Sequence, residues 1–200
     1  AASVNVSELV TALGSTNVTV TTANTGGSGT GDINVNAAIT WTASNTLTLT
    51  AARDVNVNQA ITGTGGSLVA NAGRDVKVDA AITTTTGNFS FNAVQDVNLN
   101  GAATITTGTL SAIAGRNVKV SAPATVTDGN MVFRADNDGT GPGASAGTVV
   151  ITCGASCLTI TRGSLDIRFN PVSYANTSSE ISAYGTHLTG GGTLNAKAWV

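Results

Sequence analysis

The sequence predicts an all-β chain wound as a right-handed parallel β-helix of about 21 residues per coil. Three observations carry this. First, Asp54-Val55-Asn56-Val57-Asn58 recurs as Asp32-Ile33-Asn34-Val35-Asn36, Asp75-Val76-Lys77-Val78-Asp79, Asp96-Val97-Asn98-Leu99-Asn100 and Asn117-Val118-Lys119-Val120-Ser121. The first residues of these copies lie 22, 21, 21 and 21 apart, and a fixed period of this size marks a solenoid. Second, apolar residues occupy every other place in each copy, the strand period. Third, turns rich in Gly, Thr and Asn separate the alternating segments, as in Gly63-Thr64-Gly65-Gly66 and Thr107-Gly108-Thr109.

The remaining columns keep the same register. Leu47, Leu68, Phe89 and Leu110 stand seven before the motif, and Leu49, Ala70, Phe91 and Ala112 stand five before it. Ala51, Ala72, Ala93 and Ala114 stand three before it, and Ile39, Ile61, Ile82, Ala103 and Ala124 seven after its start. Each unit therefore holds two clear short strands and a third, shorter one. Each strand is expected to pair with its counterpart in the next coil, ~4.8 Å away. One coil cannot bury its inward Val, Ile and Leu; stacking pools them into a continuous core. Right-handedness follows from the handedness of parallel crossovers.

Composition narrows the function classes. The chain has 200 residues, 41% hydrophobic, 10% charged and 4% aromatic, with net charge −2. Thin strands with small inward residues suit this mix better than an α/β enzyme does. Lys and Arg total 9 with no basic run, so no electrostatic footprint for nucleic acid is present. No apolar run is long enough to span a bilayer as a helix. No signal peptide opens the chain, which reads as a mature fragment. No cofactor motif is read, and a monomer is expected.

Residues 1–14 form a terminal capping segment. Ser7 as cap, Leu9, Val10 and Leu13 as apolar face and Gly14 as stop predict a short helix; another imperfect coil is the alternative. Residues 15–170 are the coils. Asn24 to Gly31 is a Gly-rich corner loop and lacks the Lys-Ser/Thr of a phosphate loop. Trp41 is a core or corner aromatic, or an exposed platform for a sugar. Arg53, Arg74, Gln95 and Arg116 stand beside Asp54, Asp75, Asp96 and Asn117 in adjacent outward columns, read as exposed pairs of small energetic weight. Asn34, Asn56 and Asn98, with Asn36, Asn58 and Asn100, are placed to form amide ladders.

After residue 121 the period loosens, and an insertion near 134–147 is the simplest account. Solenoid insertions often carry binding, so Arg134, Asp136, Asn137 and Asp138 form a candidate ligand-facing loop. Asp136 and Asp138 also raise calcium, but the later Glu of an EF-hand loop is missing, and no metal site is assigned. Cys153 and Cys157 are the only cysteines; a local disulfide is the expected use, in an oxidising location. The competing uses are metal, which lacks two further ligands, and redox chemistry, which lacks the Cys-x-x-Cys spacing. Residues 171–200 read as an irregular extension with a short strand near the end, broken off mid-pattern.

The repeats Ala51-Ala52-Arg53-Asp54-Val55-Asn56-Val57-Asn58 and Asn71-Ala72-Gly73-Arg74-Asp75-Val76-Lys77-Val78 resemble coils of filamentous-haemagglutinin-type exoproteins. The tail from Asn170-Pro171 through Leu188-Thr189-Gly190-Gly191-Gly192 to Trp199-Val200 is similar to the related high-molecular-weight adhesins. The resemblance implies a large Gram-negative protein carried across the outer membrane by a two-partner secretion transporter. It further implies adhesion, at the cell surface or outside the cell, to a glycan or receptor on host cells, other bacteria or biofilm polysaccharide. Some of these adhesins carry sugars on Asn-x-Ser/Thr, which here occurs at Asn5, Asn17, Asn88 and Asn176; unmodified surface Asn is the alternative.

Three function classes compete. The leading one is a non-catalytic adhesive or structural fibre section. The second is a polysaccharide-degrading β-helix enzyme using Asp54, Asp75 and Asp96, stacked near the ~5 Å separation of a retaining hydrolase; their repetition argues for a ladder and against a unique site. The third is an ice- or surface-binding solenoid, suggested by Thr83-Thr84-Thr85-Thr86, but the threonines are not seen to keep a fixed column.

Overall fold

The computed structural model describes residues 2–22, 30–137, 147–170 and 177–198. The described chain is a parallel β-helix, and every strand pairing among these residues is parallel. Three faces run along its axis. Face one stacks Val18–Thr21, Leu47–Ala51, Leu68–Ala72 and Phe89–Ala93, continuing to Ser164–Phe169 and Thr193–Ala198. Face two stacks Ile33–Val35, Val55–Val57, Val76–Val78, Val97–Leu99, Val118–Val120 and Val149–Ile151. Face three stacks Ile39–Trp41, Ile61–Gly63 and Ile82–Thr86, and ends with Leu158–Arg162 and Leu188–Gly190. The long strands Ala103–Ala114 and Ala124–Arg134 cross from face three to face one without a break.

Glycine makes that crossing. Gly108 and Gly129 hold φ of +145° and +144° at the corner, and a Cβ on either would run into the carbonyl of the glycine below. Only residues without a side chain let the coils close up here.

The core follows from the columns. Val55, Val76, Val97 and Val118 are fully buried, as are Leu47, Leu68, Phe89 and Leu110. In the next column Ala70 and Ala112 flank Phe91 along the axis. Small neighbours offset the large ring, which keeps the spine densely packed without strain. Trp41 lies inside as well, 2% exposed, over Gly63, with its Nε1–H donating to Asn45 O at 2.9 Å. It is therefore a core residue and no sugar platform. Thr84 turns inward between Gly63 and Ile105, and its hydroxyl is satisfied by Gly66 O at 3.0 Å.

A helix stands in for a strand in the first and in the last described coil. The first, α1 (Val6–Leu13), packs Leu9 and Leu13 against the first coil, and Asn45 Nδ2 donates to Leu13 O at 2.8 Å. Its cap is Asn5, whose Oδ1 accepts from Ser7 N at 2.8 Å, so the expected cap at Ser7 is displaced by two residues. Both residue types cap well; Asn5 wins because Val6 already has helical backbone. The stretch beyond 171, expected to be irregular, holds a second helix, α2 (Ser178–His187), and two strands that extend faces three and one. Few apolar residues mark this helix in the sequence, since only Tyr184 is buried.

The loosened period resolves into two enlarged corners. Thr148 sits over Asn117 after 31 residues, and Ser164 over Asn130 after 34. The first step adds the insertion between Asn137 and Gly147. The second adds the bulge that contains Cys153 and Cys157.

Candidate functional site

The carboxylate column is the first candidate that the structure rearranges. Asp54 and Asp96 are 3% and 5% exposed, not surface groups. Each sits at the corner between faces one and two, tucked beneath the next coil. There it accepts the backbone N–H stacked above it: Asp75 N to Asp54 Oδ1 at 3.2 Å and Asn117 N to Asp96 Oδ1 at 3.1 Å. The arginines reach across coils to the carboxylate below. Arg53 pairs with Asp32, Arg74 with Asp54, and Arg116 with Asp96 at 2.7 and 2.8 Å. At Gln95 the sequence breaks this staircase, and Asp75 instead has Arg74 of its own coil at 3.5 Å.

The charges set the titration. The Arg53 guanidinium holds the Asp32 carboxyl well below the usual range. Burial pushes Asp54 and Asp96 up, but Arg74 and Arg116, with backbone N–H donors and a neighbouring lysine each, more than reverse it. Asp96 ends at about 2. A carboxylate held ionised in this way is a poor general acid, which needs the opposite shift.

The insertion is not assembled as one cluster. Asp136 takes a left-handed backbone at φ 53° and is buried, with Oδ2 accepting from Asn170 Nδ2 at 3.1 Å. Asn137 is exposed, and Asp138 lies outside the described residues. Arg134 instead joins a surface row of face one, in register with Arg168 and then Lys197.

Asn137 does meet a groove. A shallow depression of about 520 Å³ follows the corner between faces one and two, lined by Thr50, Asn71, Asn92, Val94, Ile113 and Asn137 among others. Asn92 Nδ2 donates to Asn71 Oδ1 at 2.9 Å, and Asn71 Nδ2 to Thr50 Oγ1 at 3.4 Å. Val94 beside them is 62% exposed. The groove thus offers amide hydrogen-bonding groups next to small apolar surface. Asn71 and Asn92 were not singled out in the sequence, although stepping the alternating columns one place outward reaches them.

The amide ladders on face two form in part: Asn56 donates to Asn34, Asn58 to Asn36 and Asn100 to Asp79. Cys153 and Cys157 are disulfide-bonded, with Cα atoms 5.9 Å apart. The small loop they close docks on α2: Ser156 N donates to Thr186 O at 3.0 Å, and His187 Nδ1 lies 2.7 Å from Gly154 O. Of the sequon residues, Asn5, Asn17 and Asn88 are exposed, and Asn176 lies outside the described residues. Asn17 and Asn88 use Oδ1 to accept the N–H of Thr46 and Thr109 in the coil above.

Face three overturns one expectation outright. Its threonines do keep a column. Thr40, Thr62, Thr83, Thr104, Thr125, Thr159 and Thr189 pair in unbroken register. Two places on, Thr42, Thr64, Thr85, Thr106, Thr127 and Thr161 follow the same register. The signal was present in the sequence: it lies one and three residues after Ile39, Ile61, Ile82, Ala103, Ala124 and Leu158.

Comparison with protein-family models, curated proteins and solved structures finds no match to this chain. Among the described residues no helix is long and apolar enough to cross a membrane.

Proposed function

We propose that this chain is a rigid section of a secreted or cell-surface adhesin, and that it attaches to saccharide through the groove beside Asn71, Asn92 and Asn137. The observation that carries the reading is the Asn71–Asn92 amide pair set against exposed Val94 in a concave site. Neutral amides match sugar hydroxyls, and small apolar side chains match the C–H faces of the ring. Sites for small ligands generally combine apolar lining with a few placed polar groups. The disulfide supports an oxidising, extracellular location. The continuous core supports the fibre role, since each coil is held by its neighbours along one axis. The carboxylates at 54 and 96, held ionised by arginine, support binding over hydrolysis.

The test is a glycan array followed by titration of the best hit. Asn71→Ala with Asn92→Ala removes two hydrogen-bonding side chains, each worth ~1 kcal/mol, so affinity falls by roughly tenfold or more. An array without any retained glycan makes the section a spacer. Retained affinity in the double variant moves the site elsewhere.

A further inference from the structure

Face three presents a two-dimensional array of threonine. Seven stand in one column and six in the next, one of each per coil along most of the molecule. All are exposed or half-buried, while Trp41, Thr84, Ile105, Val126 and Ile160 between the columns point into the core, with Trp41 over Gly63. Along the axis the repeat is the strand spacing, ~4.8 Å, and across it is two residues of strand, ~6.7 Å. Among the described residues none of these thirteen hydroxyls donates or accepts a hydrogen bond within the protein.

Strand propensity alone does not account for this. Threonine favours any exposed strand position, yet the other faces vary. One outward row of face one reads Thr48, Val69, Ser90, Ser111, Val132, Asp166 and Asn195. One on face two reads Asn34, Asn56, Lys77, Asn98, Lys119 and Val150. Among the described residues, face three alone repeats one residue type, without a charge in either column. The row flanking it is small and mostly alanine through five coils, Ala38, Ala60, Ala81, Ala102 and Pro123, before Cys157 and His187. The same register survives the enlarged corner at the disulfide, where Thr125 still meets Thr159.

A threonine side chain presents a methyl group and a hydroxyl. β-Branching restricts χ1, so the array is ordered before it meets anything and loses little entropy on contact. A periodic, uncharged lattice of methyls and free hydroxyls orders water at its own repeat. The axial repeat lies within a few tenths of an ångström of the short repeat of hexagonal ice. We infer that face three is an ice-binding surface, whose occupant is the crystal face of ice. This site is separate from the saccharide groove, which lies on the opposite corner, and stands whether or not that groove binds.

The experiment is partition of the purified chain, fluorescently labelled, into a slowly growing ice hemisphere, with thermal hysteresis measured alongside. Two double variants decide it: Thr83→Tyr with Thr104→Tyr on face three, and Ser90→Tyr with Ser111→Tyr on face one. All four positions point outward, and circular dichroism checks that each variant folds. The expected result is incorporation of the parent chain and of the face-one variant, with a loss of at least an order of magnitude for the face-three variant. Exclusion of the parent chain from ice, as for an ordinary soluble protein, overturns the inference. So does retained incorporation by the face-three variant, or equal loss in both. Binding to crystalline cellulose without binding to ice also overturns it, reassigning the face to a flat polysaccharide.

Discussion

At the scale of single residues, two kinds of position carry the fold beyond the apolar columns. Gly129 is one. Its φ of +144° and the carbonyl of Gly108 beneath it leave no room for a Cβ. Gly129→Ala is expected to cost at least ~2 kcal/mol, read as a lowered midpoint in urea. The buried Asp column is the other. Asp54→Asn keeps an acceptor for Asp75 N but removes the ion pair with Arg74, an expected loss of about 2 kcal/mol. Because Asp54 and Asp96 titrate lower in the folded chain than in the unfolded one, the unfolded chain binds more protons as acid is added. Their stabilisation is present above the ordinary carboxylate value of 3.8 and is lost as pH falls through the depressed folded values, about 2 for Asp96. Urea midpoints should therefore hold down to about pH 4 and drop below it, with a shallower drop in Asp54→Asn. The sequence showed Arg and Asp side by side; it did not show that the arginine bonds one coil down, because adjacency along the chain says nothing about which neighbour a corner brings within reach.

At the scale of elements, the two ends differ from the middle. In the first and last described coils a helix takes the place of one strand, α1 before Val18–Thr21 and α2 before Leu188–Gly190. In α2, Tyr184 OH donates to Val149 O at 3.0 Å, a carbonyl that lies on the last strand of face two. Its ring stands edge-on to Phe169 at 5.1 Å, and burial pushes its hydroxyl up to about 12. Tyr184→Phe should cost about 1 kcal/mol, visible as faster amide exchange in face two's last strand with little change in the central coils. The disulfide acts on the same helix through Ser156 and His187. Closing so short a loop is worth about 2 kcal/mol in chain entropy, so reduction should lower the urea midpoint and raise amide exchange in 178–187. The repeated strands were legible because one pattern recurs in every coil. Helix α2 was not, because it occurs once, buries one large side chain and is rich in Ser, Thr and Gly.

At the scale of the whole molecule, register organises everything. Inward, it merges Val55, Val76, Val97 and Val118 into a buried spine. Outward, it turns separate threonines into a lattice and separate asparagines into ladders. The inward half was readable from alternation alone, since burial demands apolar residues at fixed places. The outward columns were legible through the regular coils, as offsets from the inward ones, and needed the strand pairings where steps of 31 and 34 residues replace 21.

The most direct test of this stacking is a single distance. Spin labels on Cys introduced at Thr40 and Thr189, six coil steps apart in register, should give a narrow distribution near 29 Å, about six strand spacings. A broad distribution, or a distance well away from that multiple, would contradict the in-register winding on which both proposed surfaces depend.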